Sequence, residues 1–160
     1  MNPWHDIEIE RQLMGVIEIP TGSVYKYELE KKSGGLILDR VIPIGVPANY
    51  GFIPRTLSED GDPLDVYILC DHPIVPLTQV KIELRGIILM TDNGENDEKL
   101  LAVIKGDQKI YDLDPIGRFL ASYKPGIVVI NTSDKSAAEK VLRQSKERYS
   151  EMMLAEAELK

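Results

Sequence analysis

Asp60-Gly61-Asp62-Pro63-Leu64-Asp65 sets three carboxylates within six residues, directly ahead of the apolar run Val66-Tyr67-Ile68-Leu69-Cys70. Gly61 and Pro63 fix the backbone of a turn, so the aspartates point towards one small volume. Like charges held that close repel, and a hard divalent cation with its preference for oxygen ligands is the natural counter-charge. The spacing is not that of an EF-hand loop, which wants acidic groups at positions one, three and five and glycine at six. Here they fall at one, three and six, with proline at four. The stretch reads as a metal site built for something other than calcium sensing. A second acidic turn, Asp92-Asn93-Gly94-Glu95-Asn96-Asp97-Glu98-Lys99, sits between two apolar runs, Gly86-Ile87-Ile88-Leu89-Met90 and Leu100-Leu101-Ala102-Val103-Ile104. Taken alone it is a solvated tip between two strands. Facing the same cleft as the first turn, it would supply the separate carboxylates that a pair of magnesium ions needs.

The elements that hold these turns are mostly short strands. Tyr25-Lys26-Tyr27-Glu28-Leu29-Glu30 alternates strictly, which puts Lys26, Glu28 and Glu30 on one strand face. Gln79 to Leu84 alternates as well, with Val80, Ile82 and Leu84 facing the core. Asp114-Pro115 reads as an N-cap and first-turn proline opening a short helix to about Tyr123, and Gly126 to Ile130 returns to a strand. From about Ser136 the period becomes helical through Ala138, Val141, Leu142, Ser145, Tyr149, Met152 and Met153, with Ser136-x-x-Glu139 as the expected capping box. The two methionines read as core filler. The expected fold is mainly β with flanking helices, an α+β arrangement in which a small closed β-barrel carries a short helix and a longer C-terminal helix.

At 160 residues and 43% hydrophobic, residues 1–160 are expected to form one domain with a real core. No run approaches the roughly twenty apolar residues of a membrane span, and Met1-Asn2-Pro3-Trp4-His5-Asp6 lacks a signal-peptide layout. Cys70, the lone cysteine, is placed in a strand; it excludes an intrachain disulfide and suits a reducing cytoplasm. A net charge of −7 argues against a nucleic-acid partner, whose phosphates demand a basic face. His5 and His72 are read as surface residues, and Trp4 as a packing residue.

In this setting the chain resembles the soluble, family I inorganic pyrophosphatases. The resemblance rests on Asp-Gly-Asp-Pro-Leu-Asp-Val at 60–66 and on further elements in the same order: Val16-Ile17-Glu18-Ile19-Pro20, Lys26-Tyr27-Glu28, Asp39-Arg40, Asn49-Tyr50-Gly51, Met90-Thr91-Asp92, Asp97-x-Lys99 and Tyr123-Lys124. It spans about Val16 to Lys124. Each piece alone has a duller explanation, such as a surface cross-strand pair for Lys26 and Glu28; in register they do not. The resemblance implies a five-stranded barrel of the OB type and magnesium-dependent hydrolysis of pyrophosphate to two orthophosphates in the cytoplasm. It implies Asp60, Asp65, Asp92 and Asp97 as direct metal ligands, and Glu18 and Glu28 as holders of metal-bound waters and outer-site cations. Asp62 would be the general base or orienting acceptor for the attacking water. Lys26, Arg40, Tyr50, Lys99, Tyr123 and Lys124 would grip the phosphates. Alternatives are a hydrolase of the same fold acting on another small polyphosphate, and a catalytically silent metal- or phosphate-binding protein.

The charge balance supports the chemistry independently. Seven carboxylates against four basic side chains leave this set at −3, and two divalent cations turn it to +1. Metal binding is therefore expected before productive binding of a polyanion. Three departures from the family stand out. Val46 occupies the position before Pro47 where a tyrosine is usual, so a phosphate-side hydroxyl is expected to be missing. Asn93 replaces an acid beside Asp92. The stretch from Lys99 to Tyr123 is short, and in relatives its helix contributes to subunit contacts. A homo-oligomer that falls below the usual hexamer on dilution is the expectation.

Overall fold

The computed structural model describes residues 1–160. Five strands close into a ring: β1 (Met14–Ile19), β4 (Asn49–Phe52), β5 (Asp65–Leu69), β8 (Lys99–Ile104) and β6 (Gln79–Asp92), with β6 returning to pair with β1. All pairings in the ring are antiparallel except β5 with β8. The expected closed five-stranded arrangement is present. Its reach is longer than short runs suggested, because Gln79–Leu84 and Gly86–Met90 are one fourteen-residue strand, bent by a register shift between Leu84 and Gly86. The far end of β6 pairs with β7 (Glu95–Asn96) and β9 (Ile127–Ser133). A separate hairpin, β2 (Tyr25–Leu29) with β3 (Leu36–Val41), stands beside the ring.

The apolar runs of β5 and β8 are continuous because both of their faces are covered. Val66, Ile68, Leu100 and Ala102 turn into one core with Ile17, Ile53, Ile82 and Ile87, capped by Ala138 of α3 (Lys135–Glu158). Tyr67, Leu69, Leu101 and Val103 face the other way, under Ile116, Phe119 and Leu120 of α2 (Asp114–Ser122). A third cluster joins Trp4 of α1 (Pro3–Asp6) to Val16, Leu29, Phe52 and Tyr149. Gly51 is obligatory where β4 crosses β1: a Cβ there would lie 1.8 Å from the Val16 carbonyl oxygen.

Several local expectations are corrected. The short helix starts at Asp114 itself, with Leu113 as N-cap, and the Asp112 carboxylate takes the Asp114 N–H at 3.0 Å. The long helix is capped by Asp134, whose carboxylate accepts from the Ala137 N–H at 3.0 Å; the Ser136 capping box does not form. An extended Asp immediately before the first turn is the better acceptor, and it wins. Met152 packs against the third cluster, but Met153 is exposed. The late strand is Ile127–Ser133 rather than Gly126 to Ile130. Cys70 falls just past the end of β5. Glu30 leaves the face of β2 and folds back over its own turn, accepting from the Ser33 N–H at 2.7 Å. His5 is half-buried, stacked on Trp4 and hydrogen-bonded through Nδ1 to the Tyr149 hydroxyl at 2.7 Å. Trp4 packs as expected, its indole N–H donating to the Thr56 carbonyl.

Candidate active site

The ring ends that carry the two acidic turns open with the β2–β3 hairpin into a cleft of about 220 Å³. Its walls hold Glu18 from β1, Lys26 and Glu28 from β2, Tyr50 from β4, Asp60, Asp62 and Asp65 from the first turn, Asp92, Asp97 and Lys99 from the second, and Tyr123 with Lys124 just past α2. Seven carboxylates thus meet in one place. Twelve of the thirteen residues singled out from the sequence line this cleft. Arg40 does not: it sits on β3 opposite Lys26, half-exposed, with its Nε 3.9 Å from the Asp39 carboxylate. Lys31, which sequence reasoning passed over, lines the cleft instead.

The first turn is held by its own hydrogen bonds and by α3. The Asp60 carboxylate accepts from the Asp62 N–H at 3.0 Å, the Ser58 N–H donates to the Asp62 carbonyl, and Gly61 supplies a φ of +89°. Arg148 of α3 donates to the Leu57 carbonyl at 2.7 Å, and the Leu57 N–H donates to the Ser145 carbonyl. The second turn uses Asn93 at φ +51° and Gly94 at +83°, the left-handed pair that a tight hairpin requires. That geometry explains Asn93, which tolerates a positive φ better than most residues. Its N–H also donates to the Gly126 carbonyl at 2.9 Å.

Glu18 sits at a register shift between Ile17 and Ile19, the kind of irregularity that re-aims a side chain. Its carboxylate accepts from the Leu29 N–H at 2.9 Å, which ties the hairpin to the ring. Burial, reinforced by the Asp65 charge, pushes its pKa up to about 8. Asp65 is also raised by burial, with Lys99 pulling against that shift. Lys99 is nearly enclosed: its Nζ lies 3.0 Å from Asp65, 3.4 Å from Asp97 and 2.9 Å from the Tyr50 hydroxyl. Burial favours the neutral amine, but Asp65, Tyr50 and Asp97 outweigh it and hold the ammonium well above its ordinary value. On the other side, Lys124 pairs with Asp92 at 2.6 Å.

The donor set suits a hard cation, since every candidate ligand is a carboxylate oxygen and no histidine or cysteine is among them. Asp92 Oδ1 is buried with no hydrogen-bond partner, an unpaired acceptor on a residue that lines the cleft. No three carboxylates converge into a preformed cage. Lysine ammonium groups hold Asp65, Asp97 and Asp92 instead, and these contacts would have to loosen for a divalent ion to enter.

This leads to an expected pH dependence of the chelated protein. An acid whose pKa is higher folded than unfolded contributes stability below its unfolded value and loses it as the pH rises through the folded one. Glu18 should therefore make the Tm fall between about pH 5 and pH 8, and Glu18→Gln should flatten that fall. Thermal scans in chelator at several pH values read it; a fall of equal size in the variant would contradict the assignment.

Val46 does not face the acidic cleft. It is buried in the core beneath α2 and borders an apolar cavity of about 40 Å³, beside Lys26, Tyr50 and Lys99. The valine is a packing residue at the edge of the phosphate-side group Lys26, Tyr50, Lys99 and Tyr123.

Comparison with known proteins places this architecture. Residues 15–150 match the family described as inorganic pyrophosphatase. Soluble inorganic pyrophosphatase 2 of Chlamydomonas reinhardtii is 40% identical over 171 residues, covering 94% of this chain and 89% of that protein. The inorganic pyrophosphatase from Thermus thermophilus superposes with a TM-score of 0.83 at 32% identity, over 94% of this chain and 99% of that one. The enzyme from Helicobacter pylori gives 0.81 at 34% identity, covering 91% and 98%. Sequence and fold agree over nearly the whole length, and the chain belongs to the inorganic pyrophosphatase family.

Proposed function

We propose that this protein hydrolyses inorganic pyrophosphate to two orthophosphates, with residues 1–160 acting as one domain and magnesium as the cofactor. The observation that carries the reading is the cleft itself, in which seven carboxylates and four lysines surround a space of about 220 Å³ in a member of this family. Pyrophosphate is a small polyanion with no organic handle, so its recognition is nearly all electrostatic. Asp60, Asp65, Asp92 and Asp97 would hold the cations, with Glu18 and Glu28 behind them. When bound, divalent ions supply the positive charge the cleft lacks and lower the pKa of a water. Asp62 would accept a proton from the attacking water or orient it. Lys26, Lys99 and Lys124 neutralise the phosphates, Tyr50 and Tyr123 fix their oxygens by hydrogen bonds, and Arg40 serves from the rim. Two of these six side chains already hold each other in place, Lys99 Nζ donating to the Tyr50 hydroxyl at 2.9 Å.

The test is orthophosphate release from a panel of pyrophosphate, tripolyphosphate and a nucleoside triphosphate. Pyrophosphate should be turned over far faster than the other two; a preference for a longer phosphate would favour another small polyphosphate as substrate. The same reading includes a cytoplasmic setting and a homo-oligomer. No helix is long and apolar enough to cross a membrane, and Val128, Val129 and Ile130 of β9 are exposed. The helix before Tyr123 has only nine residues, so sedimentation should find species below a hexamer on dilution. A hexamer that persists at high dilution would count against that expectation.

A further inference from the structure

Lys31 is the residue the cleft holds without an assigned purpose. It follows β2, in the turn of the hairpin, and reaches across the cleft mouth to the first acidic turn. Its Nζ lies 2.8 Å from Asp62 Oδ1 and 3.3 Å from the Gly61 carbonyl oxygen. It is the sole side-chain partner of the Asp62 carboxylate; the remaining bonds of that residue are made by its backbone, to Asp60 and Ser58. We propose that Lys31 is a positioning residue, which clamps the Asp62 carboxylate and the Gly61 carbonyl so that Asp62 points at the attacking water. The inference rests on the role given to Asp62 above.

The clamp is itself anchored, and this separates it from an ordinary surface ion pair. The Asn2 side-chain amide donates to the Lys31 carbonyl at 2.7 Å, while Asn2 Oδ1 caps α1 by accepting from the Trp4 N–H. Glu30 folds over the turn and takes the Ser33 N–H, and the Gly34 N–H donates to the Glu30 carbonyl at 2.8 Å. The lysine therefore starts from a fixed backbone, tied to the N-terminal helix, rather than from a free loop. Two acceptors on consecutive residues then fix the direction of the Asp62 side chain as well as its distance. From the other side, the Asp62 N–H is fixed by Asp60. A carboxylate that must meet one water gains from being held at both ends, because catalysis depends steeply on the geometry of the proton acceptor.

Lys31 is about half-exposed, and exposed ion pairs add little to stability, so Lys31→Ala should fold like the parent. The decisive experiment is steady-state pyrophosphate hydrolysis at saturating magnesium for Lys31→Ala, Lys31→Arg, Asp62→Asn and the double variant Lys31→Ala/Asp62→Asn. Lys31→Ala should lower kcat about 10- to 100-fold, the usual effect of losing a group that orients the working residues of such a site. The Michaelis constant should stay within about two-fold, since no substrate contact is lost. Lys31→Arg should recover most of the rate. In the Asp62→Asn background Lys31→Ala should cost nothing further, because the group it orients no longer works. A raised Michaelis constant at unchanged kcat, or losses that multiply in the double variant, would make Lys31 a direct phosphate ligand and overturn the proposal. Hydrogen exchange across residues 58–64 keeps the two readings apart. If the parent failed to hydrolyse pyrophosphate, the assigned activity would fall, yet faster exchange in Lys31→Ala alone would still support the clamp. Unchanged exchange would remove it.

Discussion

Asp62→Asn is expected to lower kcat by about a hundred- to ten-thousand-fold, the range for loss of a general base, while the protein keeps its fold. The amide matches the carboxylate in shape but cannot take a proton. Asp62 is half-exposed at the cleft mouth, so the substitution leaves no buried group unpaired. Asp65→Asn should behave differently. Asp65 is packed against Lys99 at 3.0 Å at the start of β5, and its proposed task is to hold a cation. Its loss should raise the magnesium concentration needed for half-maximal rate, with much of the rate returning at high magnesium. Magnesium titrations of both variants separate the roles: rescue of Asp62→Asn to the same degree as Asp65→Asn would show that the division is wrong.

The parts of this molecule that were legible in the sequence are those whose chemistry is local. Asp60, Asp62 and Asp65 fall within one turn, and the strand they open into announces itself by an unbroken apolar run. The alternation of β2 put Lys26 and Glu28 on one face, and both reach the cleft. What the sequence could not display was docking between distant segments. Lys31 enters the site because Asn2, twenty-nine residues away, holds its carbonyl; no spacing rule contains that contact. Arg40 matched a motif but is paired across the hairpin with Lys26, and a bulge between Lys26 and Tyr27 shifts the register there. The sequence could not display that Val46 is buried under α2 as part of the core. The helix caps were each missed by a residue or two: Asp112 takes the Asp114 N–H and Asp134 takes the Ala137 N–H.

Dependence on a divalent cation is the largest effect expected, and it follows from charge. The cleft's seven carboxyl groups outnumber its four lysines, and negative charge stays in excess even with Glu18 held protonated by burial; three of those lysines are already committed to Asp62, Asp65 and Asp97, and Asp92. A polyanion meets net repulsion there, so the protein's own bases cannot both satisfy their partners and bind substrate. Calcium should support turnover poorly, because its larger and looser coordination does not reproduce the octahedral spacing magnesium imposes. The measurement that tests this account most directly is orthophosphate release from pyrophosphate by the purified protein, in magnesium, in excess chelator, and after magnesium is restored. The account predicts rapid release in magnesium, no release above the protein-free rate in chelator, and recovery on re-addition; full activity in chelator would contradict it.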